Sequence, residues 1–270
     1  MIKKILLILF FIVLLFPMYF MLVGSLQNMR GIMKMPPNLF PLHPTLENYL
    51  RMTKWNVFPW LINSLIGTLL TVILTVITVC SSGYVFAFYK FKFKNILWTI
   101  LLLGLMIPRI SLIIPMFVII KKIGLQGSLL ATILPSIFSP FLLYLVRNYF
   151  ETVPNSLLES ARLDGANEVQ ILFHIIIPIS APIISAVSVF SSIGYLQDYI
   201  WQMLVLQKDQ NQTLLIGLTK SIRVLKDGLL AGFPYGQSMA IGTVLMLPLI
   251  VIFLIANKFF VQGISGAMKE

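Results

Sequence analysis

Six long apolar stretches dominate the chain, and they limit its fold more than any other feature. A transmembrane helix needs about twenty mainly apolar residues, and it satisfies its backbone hydrogen bonds within the segment. Only 11% of the 270 residues are charged, whereas a soluble domain carries about 25%. We therefore predict an all-α integral membrane protein with a single transmembrane domain over residues 1–270. Its six transmembrane helices are predicted to cover about residues 5–26, 61–88, 96–120, 128–146, 178–206 and 239–260.

Lysines near the predicted spans indicate the orientation of the chain. Lys3 and Lys4 precede the first apolar stretch, which lacks a small-x-small cleavage site, so we expect a retained anchor rather than a cleaved signal. Six spans place both termini on the same side as a second cluster, Lys90, Lys92 and Lys94. Because cytoplasmic loops are enriched in lysine and arginine, this pattern favours cytoplasmic termini.

The net charge and the cysteine count exclude two other classes of site. The net charge of +11 is spread over many loops, so it indicates membrane-flanking charge rather than the clustered basic face of a nucleic-acid-binding protein. The single cysteine, Cys80, lies in an apolar run and can form neither a disulfide nor a cysteine metal site within the chain. We expect it to be a small buried side chain, and we predict no metal site.

Prolines recur inside the predicted spans. Each removes a backbone donor and tends to kink its helix. Such kinks suit a protein that alternates between two conformations, but they are also ordinary in membrane helices. The residues are Pro108, Pro115, Pro135, Pro140, Pro182 and Pro248.

A polar segment interrupts this apolar chain at residues 147–177. Ser156 and Glu159 have the spacing of a capping box at a helix start, and Asp164-Gly165 is typical of a helix end. We predict the apolar side of this first helix at Leu157, Leu158 and Ala161.

A second short helix is predicted to follow. Asn167 and Gln170 again have capping-box spacing, and Pro178 suits the first turn of the fifth span. The segment is therefore predicted as a helix-turn-helix at the membrane surface, either a docking site for a partner or a connector without one. The apolar side of the second helix is predicted at Val169, Ile171, Leu172 and Ile175.

The same segment carries a family pattern. The pattern is Glu-Ala-Ala, three residues, Gly, nine residues and Ile-x-Leu-Pro, and the chain departs from it at Ser160 and Ile177. On this basis the chain resembles the permease subunits of ABC importers, and its tail, residues 260–269, is similar to the ending of the maltose-type G subunit of carbohydrate uptake systems. The positions that match are Glu159, Ala161, Gly165, Ile175 and Pro178, whereas Ser160 stands where the pattern has Ala and Ile177 where it has Leu.

The resemblance implies half of a sugar translocation pathway in a bacterial cytoplasmic (inner) membrane, with an oligosaccharide as the favoured substrate. It implies a second, homologous permease subunit, an ATP-binding-cassette ATPase dimer that uses ATP and Mg, and an extracellular or periplasmic solute-binding protein. This chain is expected to bind no cofactor, and no phosphate-binding Gly-x4-Gly-Lys-Ser/Thr loop occurs in it. The resemblance assigns to a cytoplasmic ATPase-coupling loop Glu159, Ser160, Ala161, Asp164, Gly165, Ala166, Ile175 and Pro178, with Arg162 as a secondary candidate.

Two other function classes stay open at this point. An intramembrane enzyme would need a nucleophile and base inside the spans, yet the two histidines, His43 and His174, lie outside them. A lone secondary transporter would need intramembrane ionisable residues for ion coupling, and these are nearly absent from the predicted spans.

A polar stripe runs along the fifth predicted span. Successive members of the stripe are three or four positions apart, so they are predicted to share one helix face. The stripe comprises Ala181, Ser185, Ser188, Ser192, Tyr195, Tyr199 and Gln202. Such a face either lines a wet path or lets another helix pack closely. Asp198 is interpreted as part of an outer gate or binding-protein contact, or as a solvated helix-end aspartate. The candidate pathway or gate residues are Ser185, Ser188, Ser192, Tyr195, Asp198 and Tyr199.

Overall fold

The computed structural model describes residues 2–52, 56–217, 219–220 and 235–267, with side chains for residues 3–51, 56–217, 219–220 and 235–254. Within these ranges the regular structure is helical, as the sequence predicts, and no strand occurs. The helices are α1 Ile2–Ser25, α2 Met29–Ile32, α3 Glu47–Met52, α4 Val57–Phe88, α5 Lys94–Gly104, α6 Ile113–Lys122, α7 Leu130–Ile133, α8 Pro140–Phe150, α9 Asn155–Leu163, α10 Glu168–Gln170, α11 Ile177–Ile179, α12 Ala181–Leu196, α13 Tyr199–Val205 and α14 Tyr235–Ala267.

Three predicted spans are single helices long and apolar enough to cross a membrane: Lys3–Ser25, Val57–Phe88 and Tyr235–Leu254. The other three predicted spans are not single helices, and the count of six spans stays a prediction. Their residues belong to bent helix pairs, and the described chain reaches six spans only if each bent pair counts as one. The bends are 99° between Lys94–Gly104 and Arg109–Lys122, 47° between Leu130–Ser136 and Pro140–Phe150, and 86° between Glu168–Ile179 and Ala181–Leu196.

Prolines lie at each of these bends. Pro108 precedes the 3₁₀ turn Arg109–Leu112, Pro140 is the first residue of α8, and Pro182 lies in the first turn of α12. Proline has no backbone N–H and cannot continue a helix from the preceding turn without losing a hydrogen bond. The fifth predicted span is interrupted once more, because α12 ends at Leu196 and α13 begins at Tyr199.

The chain forms two compact units, and the prediction of one transmembrane domain stays a prediction. The first unit comprises Met1–Ser64 and Lys208–Pro248, and its core contains Val57, Trp60, Leu214 and Ile241. The indole Nε1 of Trp60 donates to the carbonyl of Asp209 at 2.8 Å.

The second unit comprises Leu65–Gln207 and Leu249–Glu270. Its core joins α4, α8, α9 and α12 to the helical segment after α10. Cys80 lies in this core with no exposed surface, which confirms its predicted burial. The other buried core residues are Val79, Tyr84, Leu142, Leu143, Val146, Phe150, Leu158, Ala161, Ile171, Leu172, Ile176 and Val187.

A hydroxyl stripe on α4 satisfies carbonyls at the break before α8. Thr78 Oγ1 donates to the carbonyl of Ile137 at 2.7 Å, and Thr75 Oγ1 donates to that of Ser136 at 3.4 Å. These carbonyls lie where the helix is interrupted, so side chains replace the missing backbone donors. Sequence reasoning missed the stripe although its spacing was legible: Ser64, Thr68, Thr71, Thr75 and Thr78 step by four and three.

The packing of α4 against α12 generates a stability prediction. A Cβ added at Gly67 would lie 1.9 Å from the hydroxyl oxygen of Tyr195, which is buried, whereas one added at Gly194 on α12 would meet nothing within 4 Å. We expect Gly67→Ala to destabilise the protein by about 1–3 kcal/mol through overpacking. Gly194→Ala, the matched control, is expected to be neutral or stabilising by up to about 1 kcal/mol. Thermal unfolding of the purified variants in detergent checks both, and equal stability of the two variants would contradict the packing.

Candidate functional site

The polar segment begins with α9, whose start differs from the predicted one. The N-cap residue is Pro154, with no side-chain capping bond, and Asn155 is the first helical residue. The Ser156–Glu159 capping box is therefore a wrong prediction, because Glu159 lies too deep in the helix to reach back to the N-cap backbone. Glu159 is instead exposed on the outer side of α9.

The segment turns at Gly165 as predicted. Gly165 has a φ of +83°, a left-handed conformation that glycine adopts without steric cost. Ala166 N donates to Ala161 O at 3.0 Å, and Gly165 N donates to Arg162 O at 3.1 Å. This pair of bonds is the Schellman arrangement, which satisfies the last carbonyls of the helix.

The second helical piece starts with the predicted capping box. Gln170 N donates to Asn167 Oδ1, and Asn167 N donates to Gln170 Oε1, both at 2.9 Å. Helix α10 continues as a π-helical turn, Ile171–Ile176, into α11. Pro178, the second residue of α11, has no N–H to donate to the preceding turn. The helical run then meets α12 at 86°.

An ion pair joins the two sides of the Gly165 turn, and its carboxylate also accepts a hydrogen bond from α4. Arg162 Nε donates to Glu168 Oε1 at 2.9 Å, and the hydroxyl of Tyr84 donates to Glu168 Oε2 at 2.5 Å. The hydrogen bonds from Arg162 and then Tyr84 lower the pKa of Glu168 to about 2. The same carboxylate raises the pKa of Arg162. These contacts hold the two short helices at a fixed angle.

Neither Glu168 nor Tyr84 was predicted as a site residue. Arg162 and Glu168 carry opposite charges on either side of Gly165, and this pattern could have indicated their pairing. Tyr84 is 84 residues from Glu168 in the chain, so no local pattern connects them.

The buried face of the segment differs in part from the predicted one. Leu158, Ala161, Ile171 and Leu172 are buried in the core of the second unit. Leu157 and Val169 were also predicted on the apolar sides, but both are exposed. The buried face is therefore narrower than the predicted one, and on the first helix it comprises Leu158 and Ala161.

The exposed side of the segment forms what we call the elbow face: Glu159, Leu163, Val169 and Phe173. Leu163 is 89% exposed and Val169 is 66% exposed, and they lie on opposite sides of the Gly165 turn. Exposed apolar side chains beside polar ones are typical of protein interaction sites. Leu163 was missed because it lies off the apolar face that the helical period of α9 predicts.

The predicted coupling residues divide by burial. Ala161 is buried and contributes a carbonyl to the turn rather than a surface. Ala166 and Ile175 are half-buried. The exposed members are Glu159, Ser160, Asp164, Gly165 and Pro178. Their coupling role stays a prediction.

The polar stripe of the fifth predicted span is not one continuous face. The break after Leu196 separates Tyr199 and Gln202 from the rest. The hydroxyls of Ser185, Ser188 and Ser192 each donate to the carbonyl four residues earlier, at 2.6–2.8 Å.

Burial further divides the stripe. Ser185, Ser192 and Tyr195 are buried within this chain, and the hydroxyls of Tyr195 and Thr132 lie 2.9 Å apart. Close packing accounts for these three positions. Ser188 and Tyr199 are half-buried, and their place on a pathway stays a prediction.

Asp198 forms an ion pair with Arg109. Arg109 Nη2 donates to Asp198 Oδ2 at 2.7 Å, and the side chain of Asp198 is only 13% exposed. The interpretation of Asp198 as a solvated helix-end residue is therefore wrong. Arg109 lies inside the third predicted span and was not considered, because the apolar average of that span conceals one charge.

Comparisons with known proteins identify the class. The family model described as "Binding-protein-dependent transport system inner membrane component" matches residues 80–266. The arabinooligosaccharides transport system permease protein AraQ of Bacillus subtilis is 32% identical over 279 residues, covering 98% of this chain and 96% of the relative. The sn-glycerol-3-phosphate transport system permease protein UgpE of Brucella abortus is 26% identical, covering 99% of this chain and 96% of the relative.

The fold also has a solved counterpart. A chain in the crystal structure of a bacterial ABC transporter involved in the import of the acidic polysaccharide alginate superposes with a TM-score of 0.84. The match covers 96% of this chain and 95% of that chain at 22% identity. The protein therefore belongs to the family of binding-protein-dependent transport system inner membrane components. The family and the AraQ relative are transport-system permeases, which favours neither the intramembrane enzyme nor the lone secondary transporter.

The Glu168 cluster predicts a pH-dependent stability. The folded-state pKa of about 2 lies below the ordinary value of 4.5, so the stabilisation is present above pH 4.5 and is lost as the pH falls from there towards 2. Because the side chain is 43% exposed, we expect Glu168→Gln to cost about 1 kcal/mol near neutral pH, within the range of solvated pairs. Thermal unfolding between pH 7 and pH 3 checks this.

The control for that measurement is Asp164→Asn, a substitution at an exposed position in the same turn. We expect it to change stability by less than about 0.5 kcal/mol at any of these pH values. A constant difference between the wild type and Glu168→Gln down to pH 3 would contradict the ionised cluster.

Proposed function

We propose that the chain is the permease subunit of a sugar importer and forms half of the pathway across the cytoplasmic membrane. In this proposal an oligosaccharide crosses between this chain and a second, homologous permease. An ATPase dimer hydrolyses ATP with Mg, and an extracellular or periplasmic solute-binding protein delivers the sugar. The names of the relatives support an oligosaccharide first and a phosphorylated polyol second.

The elbow face is the observation that carries the proposal. It presents Leu163 and Val169 to solvent on a turn that is otherwise fixed by hydrogen bonds. An isolated membrane subunit gains nothing from this exposure, because exposed apolar area is favourable only when a partner covers it. We infer that the ATPase covers the elbow face, with Glu159 contributing a charge at its edge.

The other side of the same segment supports a mechanical role. Leu158, Ala161 and Ile171 are buried against the core that contains Val146 and Phe150. Protein cores are close-packed and transmit displacement. A push on the elbow face would therefore move α9 together with α4 and α8, and would reach α12 through the 86° bend.

The proposal includes the orientation of the chain. The elbow face must lie in the cytoplasm to meet an ATPase, and six spans then place both termini in the cytoplasm. Sugar contacts are assigned to Ser188 and Tyr199, which are half-buried and whose hydroxyl oxygens suit the hydroxyl groups of a sugar, and Asp198 is assigned to the outer gate. We expect the binding protein to select the sugar, since polar side chains along a pore do not encode one particular array of hydrogen bonds.

Uptake by the assembled transporter tests this function. The tagged chain would be purified with its partner subunits, placed in liposomes, and supplied with ATP and the solute-binding protein. We expect ATP-dependent uptake of one oligosaccharide from a panel of arabino-, galacto- and alginate oligosaccharides, with sn-glycerol 3-phosphate as the competing class. Leu163→Asp is expected to reduce uptake at least tenfold, because a carboxylate would be buried in the ATPase interface.

The matched control is Leu46→Asp, at an exposed leucine between the first two predicted spans, in residues 27–60, which six spans place on the side of the membrane opposite the termini. It should retain uptake within about twofold. Normal uptake by Leu163→Asp would refute the assignment of the elbow face, and an absence of ATP-dependent uptake with every solute would refute the sugar importer.

A further inference from the structure

The side chain of Arg109 begins at one helix interruption of the second unit and lies within hydrogen-bond distance of residues at two others. Arg109 begins the 3₁₀ turn that follows the break between α5 and α6. Asp198 lies in the break between α12 and α13. Ser136 ends the 3₁₀ turn Leu134–Ser136, which precedes the break before α8. Each break lies inside a predicted span.

The guanidinium of Arg109 bonds to both of the other breaks. Its Nη2 donates to Asp198 Oδ2 at 2.7 Å and to Ser136 Oγ at 3.3 Å. The stronger, charged contact is with Asp198. The side chain of Arg109 is 50% exposed, whereas that of Asp198 is 13% exposed.

Asp198 directly precedes α13, and hydrogen bonds connect α13 to α7 and to the turn before it; these three elements are called the block below. The indole Nε1 of Trp201 donates to Ala131 O at 3.0 Å, and Gly127 N donates to Val205 O at 2.9 Å. These bonds join α13 to α7 and to the turn before it. Arg109 approaches this block from a different helix pair, whose two arms are bent by 99°.

The exposed side chain of Arg109 limits the kind of environment that can surround it. An ionised side chain inside a span faces protein or water rather than lipid, because its burial in hydrocarbon is costly. Irregular backbone at membrane depth is likewise tolerated only where it is buried in protein or lines a water-filled cavity. The exposed half of Arg109 therefore faces protein or water rather than lipid.

We propose that Arg109 lies on the wall of the translocation pathway and acts as a positioning residue for its gate. The inference rests on the proposed transport function. The ion pair between Arg109 and Asp198 holds the α5–α6 bend against the block of α7 and α13. This pair must separate for solute to pass. Ser136 supplies a second, weaker acceptor on the fixed side of the gate.

Thiol accessibility tests the proposal directly. Ser111→Cys places a thiol in the same 3₁₀ turn, two residues from Arg109, at an exposed position. In the assembled transporter in liposomes, we expect it to react with a charged, water-soluble thiol reagent. The rate should rise at least fivefold when Asp198→Asn or Arg109→Gln is added, and the two together should raise it no further than either alone. Native Cys80 is buried and should not react.

Two controls separate a gate from a merely structural contact. Leu103→Cys, on the exposed apolar side of α5, should stay unreactive because lipid excludes the charged reagent. Arg51→Gln removes an ion pair within the single helix α3 and should leave the Ser111→Cys rate unchanged. A thiol at 111 that does not react, or a rate unaffected by Asp198→Asn, would overturn the proposal.

The transport measurement separates this inference from the proposed function. We expect Arg109→Gln and Asp198→Asn to change the ratio of binding-protein-stimulated to basal ATP hydrolysis at least threefold, whereas a loss of folded protein would lower both rates together. If the wild type imports no solute, the proposed function fails, while the thiol rates still decide whether the pair gates an aqueous path.

Discussion

The structure depends on how the backbone of an interrupted membrane helix is satisfied. Each break in the second unit releases carbonyl groups that lipid cannot satisfy, so they need donors from protein or water. Side chains of neighbouring helices supply the donors, among them Thr75, Thr78 and Trp201. A broken span is therefore stable only beside the particular helix that carries those donors, and this requirement holds the break before α8 against α4 and α7 against α13.

Helix α4 connects the breaks to the polar segment. Thr78 bonds to the break before α8, and six residues later Tyr84 bonds to Glu168 beside the Gly165 turn. At a rise of about 1.5 Å per residue, these two contacts lie about 9 Å apart along the same helix. A displacement of the elbow face would thus be transmitted to the break before α8 through one stiff element, as the proposed ATP-driven transport requires.

Local patterns predicted the helical class, the Gly165 turn and the Asn167–Gln170 capping box, because each depends on neighbours within a few residues. Hydrophobic averages located the apolar regions, and the prolines indicated that helices bend there, but neither gave the size of the bends or the positions of the 3₁₀ turns. The Glu168–Tyr84 and Arg109–Asp198 contacts join residues that are 84 and 89 positions apart. No spacing rule connects such pairs, so the hydrogen bonds and ion pairs that fix the site are seen only in the structure.

The central claim is that the elbow face is the surface on which the ATPase acts. A photo-activated cross-linking residue at position 163 of the assembled transporter tests it most directly, with the same residue at the exposed position 46 for comparison. The account predicts that position 163 cross-links to the ATPase and that position 46 does not. Cross-linking to the ATPase from position 46, with none from position 163, would contradict both the docking assignment and the orientation of the chain.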